Sequence, residues 1–282
     1  MRASARQRIA GTRVLITGGA QGIGAEVSRQ LVDHGARVAI LDCDIASASR
    51  LVAELGGAAA AFEADVRSIE SMTTACAAAA ELFGGLDAVV ANAGIAGPAA
   101  TVAAVDPNAW RTVIDVNLVG VFHTVVAALP HLRQRRGYLL AVASIGAVIS
   151  GPTVSGYMAS KSGVESLVRS LRIELSGSGV DVGIGYFGLV DTGLARDMLT
   201  RSGLGAVMAA LPGAVGRPIP VEAAAAQIVA GMARRSRRVY APRWVPILVD
   251  LRVLFAVGDR LLAVWPPMRR AVRAAERTEA HP

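Results

Sequence analysis

Apolar residues fall into two rhythms along this chain. Short unbroken runs, such as Arg13-Val-Leu-Ile-Thr17 and Arg37-Val-Ala-Ile-Leu41, alternate with longer stretches in which apolar positions return every third or fourth residue. The runs predict strands over residues 13–17, 37–41, 60–64, 86–90, 137–143 and 180–186, and a seventh over residues 239–242. The stretches between them predict helices over residues 24–34, 45–55, 69–83, 107–132 and 154–175, punctuated by Gly35, Gly56-Gly57 and Gly84-Gly85. Strands that are apolar throughout, and not on alternate residues only, are covered on both faces, as in parallel sheets. Repeated strand–helix units of this length predict an α/β fold: a doubly wound parallel sheet of about seven strands with helices on both faces.

Composition changes this expectation little, but charge divides the chain. With 282 residues, 53% of them hydrophobic, the chain can bury a large core and is not a disordered polar segment. Two cysteines, Cys43 and Cys76, exclude a disulfide scaffold and suit a reducing cytoplasm. His34, His123, His131 and His281 lack metal-ligand spacing, so no metal site is expected. Residues 1–230 carry 18 basic and 18 acidic groups, whereas residues 231–282 carry 11 arginines and 4 acids. The formal net charge of +7 therefore belongs to the C-terminal segment. The body is neutral and the arginines are not interleaved with stacking aromatics, which argues against a nucleic-acid partner. The expected organisation is a domain over residues 1–243 followed by a basic, apolar helical extension over residues 244–282.

No membrane span is expected. The basic start of the chain has no apolar core of a secretory signal. The uncharged stretch 137–160 contains Pro152 with several glycines and serines, and Asp250, Arg252, Asp259 and Arg260 interrupt the apolar stretch 244–265. The expected location is cytoplasmic, with peripheral contact at the inner membrane surface through residues 244–282 left open.

Thr17-Gly-Gly-Ala-Gln-Gly-Ile-Gly24 joins the first strand to the first helix. Glycines at 18, 22 and 24 permit a tight turn, close approach of a pyrophosphate and close contact of helix with strand. Gln21, Gly22 and Ile23 then lead into a helix N-terminus whose free N–H groups suit phosphates. Asp42 ends the second strand 18 residues after Gly24. An acid there can accept hydrogen bonds from an adenosine ribose and repels a 2′-phosphate, which favours NAD over NADP. The structural alternative is a plain glycine turn with Asp42 capping the next helix.

Tyr157-Met-Ala-Ser-Lys161 sets a phenol and an ammonium four residues apart, on one face of a helix. A neighbouring ammonium favours the phenolate and turns a poor base into a useful one. Alone, this spacing is common on solvated helix faces. Here, however, Lys161 is the only lysine beside 28 arginines, which marks a place where a compact ammonium is needed.

Taken in order and spacing, Thr17-Gly18-xxx-Gly22-x-Gly24, Asp65-Val66, Asn92-Ala93-Gly94, Asn117, Ser144, Tyr157 and Lys161 resemble the short-chain dehydrogenase/reductase family over roughly residues 10–195. The resemblance implies a Rossmann-type sheet and hydride transfer between a nicotinamide cofactor and an alcohol or carbonyl. It implies Tyr157 as general acid or base, Lys161 as the group that lowers its pKa and holds the nicotinamide ribose, and Ser144 on the substrate oxygen. It also implies a proton-relay water on Asn117, adenine contacts from Asp65 and Val66, and an adenosine-side lining from Asn92, Ala93 and Gly94. Gly188 and Thr192 match the segment that meets the nicotinamide carboxamide, but Phe187 stands where the family usually has proline. Family habit implies a homodimer or homotetramer through the helices at about 107–132 and 154–175. The rival class is a non-catalytic nucleotide-sensing or scaffold relative.

Residues 194–220 fall where the family places its substrate loop, and carry Met198, Leu199, Leu204, Val207, Met208, Leu211 and Val215 with few charges. They read either as a lid for a hydrophobic alcohol or ketone, steroid-, terpenoid- or lipid-like, or as a helix packed on the body. After the strand at 239–242, a helix is expected over residues 246–265, stopped by Pro266-Pro267 and followed by a basic end. This extension covers the substrate cleft or a subunit interface, lies on an anionic membrane, or is solvated.

Overall fold

The computed structural model describes residues 5–201, 208–209 and 216–279. Seven parallel strands form one sheet: β1 Arg13–Thr17, β2 Arg37–Asp42, β3 Ala59–Glu63, β4 Ala88–Ala91, β5 Tyr138–Val142, β6 Asp181–Phe187 and β7 Arg238–Ala241. Their order is β3-β2-β1-β4-β5-β6-β7. Each stands within two residues of its predicted place. Leu15 of β1 lies between Ala39 of β2 and Val89 of β4, which fixes the register at the centre.

Successive residues of a strand point to opposite faces, and here both faces are buried. Leu15, Val89, Leu139 and Ile184 face α4 Ile69–Phe83, α6 Gly120–Arg135 and α7 Ser155–Glu174, joining Met72, Phe83, Val125, Leu132 and Val168 in one apolar cluster. Ile16, Ile40, Val90 and Leu140 face α2 Gly22–Asp33, α3 Ile45–Leu55 and α9 Val221–Ala233, joining Val27, Leu31, Leu51 and Ile228 in a second. Two-sided burial explains why the strands are unbroken apolar runs. Local chemistry sets the helix ends. Asp44 and Ser68 accept the N–H groups of Ser47 and Ser71 at the starts of α3 and α4, and Gly84, left-handed at φ 74°, ends α4.

Three stretches differ from the sequence expectation. A short helix, α1 Ala5–Ile9, precedes β1. The region predicted as one helix from Pro107 comprises α5 Pro107–Ile114 and α6, joined by a π turn at Asp115–Val119. Together, Pro107–Arg135 is long and apolar enough to cross a membrane. However, Val113, Val121, Val125, Ala128 and Leu132 are buried in the protein interior, as in a core helix. The extension is also not one helix with a basic end. It comprises α10 Val245–Asp250, α11 Arg252–Val264 and α12 Pro266–Glu279. Helix α11 ends at Val264, just before Pro266-Pro267 as expected; the differences are the break at Leu251 and a further helix, α12, which the two prolines open, because the first turn of a helix has no need of their missing N–H groups.

The extension is tied to α7. Arg252 meets Glu165 at 2.6 Å, with the Glu165 side chain 7% and the Arg252 side chain 36% exposed. Removing one partner of a fully buried pair costs roughly 3–5 kcal/mol, and water around Arg252 offsets part of that, so Arg252→Ala should lower stability by about 2 kcal/mol. The exposed pair Arg238–Asp250, 3.0 Å apart, should contribute no more than about 1 kcal/mol. Urea unfolding of Arg252→Ala beside Asp250→Asn measures the contrast.

Candidate active site

Strand order reverses beside β1, where the connections after β1 and β4 leave in opposite directions and open a crevice at the carboxyl ends of the strands. The glycine turn lines it. Gly18 and Gly22 are left-handed, at φ 61° and 54°, and a Cβ on Gly18 would lie 2.7 Å from the Ala93 Cα. A Cβ on Gly24 would collide with the Gly18 carbonyl. At Gly22, by contrast, a Cβ would meet the Thr192 methyl in ordinary contact at 3.6 Å, so it is the positive φ that favours glycine there. Gln21 caps α2 in an extended conformation without a side-chain hydrogen bond, and Ile23 follows in the first turn. The first-turn N–H groups thus have no intrahelical acceptor.

Asn92 staples the end of β4 to this turn. Its amide donates to the carbonyls of Thr17 at 3.1 Å and Gly18 at 2.9 Å, while the Thr17 hydroxyl accepts from the Asn92 and Ala93 N–H groups. Asp42, 7% exposed, accepts from the N–H groups of Ala20 and Asp44, both at 3.0 Å. It therefore ties the glycine turn to the end of β2. The capping residue of α3 is Asp44, so Asp42 is not that cap. Asp65 forms a 2.6 Å ion pair with Arg67, whose hydrogen bonds hold the carboxyl below its ordinary range. Its carboxylate is thus already engaged, a partner that the motif Asp65-Val66 does not announce. Val66 is buried, and its carbonyl accepts from His123 Nδ1 at 2.9 Å.

The catalytic candidates converge one strand further on. Ser144 follows β5 by two residues; its hydroxyl accepts from the Gly146 N–H at 3.1 Å and donates to the Phe187 carbonyl at 3.3 Å. Lys161, one turn after Tyr157 on α7, is 4% exposed and donates to the Val142 carbonyl at 2.9 Å. Its Nζ lies 5.7 Å from the centre of the Tyr157 ring. Burial raises the Tyr157 pKa, and the Ser144 hydrogen bond opposes that rise. Burial also pushes Lys161 down to about 8. The sequence expectation that Lys161 dominates the tyrosine pKa thus meets a stronger effect, the low polarity around the phenol.

Asn117 is fully buried in the π turn. Its carbonyl oxygen accepts from the Ile95 N–H at 2.8 Å, and its amide donates to the Ile95 carbonyl at 2.9 Å and the Ser160 hydroxyl at 3.2 Å. The expected water ligand therefore spends most of its side-chain capacity on the loop after β4. Gly94 leaves room here: a Cβ would stand 3.3 Å from Asn117 Oδ1 and 3.6 Å from Lys161 Nζ. Gly188 packs against Pro242, and the Thr192 hydroxyl accepts from the Ala195 N–H at 3.3 Å. Phe187, in the place of the family proline, is 3% exposed and pairs with Ala241 of β7, its ring lying over Gly185. The missing side chain at Gly185 is what admits the ring.

Around Tyr157 the surroundings are apolar. Val154, Tyr157 and Met158 cluster with Met198 and Leu199 of α8 Gly193–Arg201, with Met208, and with Trp265, Met268 and Ala271 at the start of α12. Of the apolar loop residues read from the sequence, Leu204, Val207, Leu211 and Val215 lie outside the described residues. Met268 and Ala271 lie beyond Pro266-Pro267, where the sequence reading expects only a basic end; apolar positions returning at Met268, Ala271 and Ala275 are the signal for the helix there. Thr153, just before α7, adopts φ 65°, a strained value for a β-branched residue at the foot of the tyrosine helix.

The family model for short chain dehydrogenases matches residues 12–202. L-fucose dehydrogenase of Mus musculus is 33% identical over 224 residues, 77% of this chain and 82% of that protein. (−)-trans-Carveol dehydrogenase of Rhodococcus erythropolis is 37% identical over 186 residues, 60% of this chain and 67% of that protein. Among solved structures, a 3-ketoacyl-(acyl-carrier-protein) reductase of Brucella melitensis complexed with NADH superposes with a TM-score of 0.74 at 27% identity, covering 83% of this chain and 97% of that one. The chain belongs to the short-chain dehydrogenase/reductase family and is an oxidoreductase acting on CH–OH donors. Its site fits a nicotinamide dinucleotide: a glycine turn where side chains added at Gly18 and Gly24 would collide, leading into a helix N-terminus, and a buried ammonium beside a phenol.

Between about pH 8 and 10.5, the unfolded chain holds a proton on Lys161 that the folded chain has released. Stability from this group therefore rises with pH across that window, and Lys161→Met should flatten the rise. Urea unfolding of both proteins from about pH 7 to 10 measures it.

Proposed function

We propose that this enzyme is NAD-dependent and interconverts a hydrophobic secondary alcohol and its ketone. The observation that carries the substrate class is the apolar cluster gathered around Tyr157 by α7, α8 and α12, which offers a ring or alkyl chain many contacts and a sugar few. The (−)-trans-carveol relative is in keeping with it. The bound nicotinamide supplies hydride acceptance or donation. Tyr157 takes the hydroxyl proton of the alcohol in oxidation and returns it to the ketone oxygen in reduction. Ser144 turns its hydroxyl proton from the Phe187 carbonyl to the same oxygen. Lys161 holds positive charge beside the phenolate that forms and binds the nicotinamide ribose. Asn117 braces the loop beside Lys161 through Ile95, and a water there carries the proton outward. Asp42 supports NAD over NADP, since a carboxylate at the end of β2 accepts from ribose hydroxyls and repels a phosphate.

Tyr157→Phe should remove turnover by at least about a thousandfold while leaving NADH binding intact, because it deletes the proton donor and not the dinucleotide cradle. An absorbance assay with steroids, terpenoid and alicyclic alcohols, aliphatic alcohols and sugars tests the substrate class; a higher kcat/KM for sugars overturns it. Fluorescence titration should show NADH bound at least about tenfold more tightly than NADPH, the effect of one repulsive carboxylate.

A further inference from the structure

We propose that α11 and its flanking arginines dock this protein on an anionic phospholipid surface. The helix is mounted inside out. Its first residue, Arg252, turns inward to the buried Glu165. Val253, Leu254, Leu261 and Val264 face outward, 73%, 66%, 74% and 56% exposed. At 100° per residue these four lie within an arc of about 100°, and Arg260 borders it. Ile247 and Leu251, just before the helix, are 60% and 46% exposed. An apolar row turned to solvent on a helix clamped by its polar side marks a surface meant to be covered.

Charge identifies what covers it. Residues 1–230 are electrically balanced and residues 231–282 carry the whole excess of +7. Arg243, Arg260, Arg270 and Arg273 are exposed and take part in no ion pair among the described residues. On α12, Arg269, Arg270 and Arg273 lie opposite Met268, Ala271 and Ala275, which face the molecule. An exposed aliphatic row bordered by Arg260, on an extension that carries further exposed arginines, suits headgroups and upper acyl chains, where a single helix face is enough for binding. A second copy of the chain is a poorer fit: a stable interface uses about 20–30 residues on each side, and this row offers six large apolar ones. Docking would set α12, and behind it Tyr157, at the lipid boundary. The surface is independent of the proposed reaction, since vesicle binding is read without turnover.

The test is co-sedimentation of the full chain with phosphatidylcholine vesicles, with and without phosphatidylglycerol, at low and high salt. The proposal expects binding to the phosphatidylglycerol vesicles that salt weakens. It expects Leu254→Asp/Leu261→Asp and Arg260→Gln/Arg270→Gln each to weaken it by at least about tenfold. All four positions are exposed, so unchanged urea midpoints confirm intact folding in the variants. Absence of binding to the anionic vesicles, or binding equal to wild type in both variants, overturns the proposal. So does a Leu254→Asp/Leu261→Asp variant that changes oligomeric state in light scattering while wild type ignores vesicles, which would assign the row to a second copy.

Discussion

The ammonium of Lys161 stands almost wholly out of water, with the Val142 carbonyl as its hydrogen-bond acceptor at 2.9 Å. An isolated cation in such a place is costly, and its pKa of about 8 expresses that cost. Much of the neighbouring architecture follows from keeping it there. The end of β5 offers its carbonyl. Gly94 has no side chain where one would crowd Asn117 Oδ1, and Asn117 fixes the adjoining loop through both Ile95 backbone groups. A flat, five-donor guanidinium could not occupy the same space, although the chain uses arginine for every other basic side chain.

Because α7 repeats every fourth residue on one face, the same helix carries a second partnership in the opposite direction. Tyr157, Lys161 and Glu165 follow one another by single turns. The first two look into the crevice at the strand ends, and the third receives Arg252 from the extension. One helix therefore links the Tyr157–Lys161 pair to the appended segment, whose next helix returns to touch the tyrosine's surroundings. The sheet dictates this layout. With both faces covered, its interior holds apolar side chains, and polar chemistry collects where the strands end.

Much of this was legible in the residues alone. Unbroken apolar runs located the strands because two-sided burial leaves no polar alternation to confuse them, and Asp44, Ser68 and Gly84 end helices by local bonds that short sequence windows contain. The glycine turn and the Tyr157–Lys161 pair were legible because each needs a particular residue type at a fixed spacing. Other features were hidden because no motif names the partner that a side chain takes, near in sequence or far. The Asp65–Arg67 pair and the Asn117–Ile95 clamp use side chains that the motifs assign elsewhere. The fit of Phe187 depends on the bare Gly185 beneath it, and Pro266-Pro267 reads equally well as a helix stop or a helix start. Both occur: α11 stops before the pair and α12 starts on it, with an apolar stripe that turns to the molecule.

A single lysine has a further chemical meaning. Among its side chains the sequence has one primary amine, and it is buried beside the crevice at the strand ends. Acylating or imine-forming reagents, which decorate most proteins at many surface lysines, meet here a surface of guanidinium groups that they leave untouched. At mildly alkaline pH that amine is substantially neutral and so nucleophilic, yet shielded by its burial. The folded protein thus carries a built-in chemical label site whose accessibility is governed by whatever opens or fills the crevice.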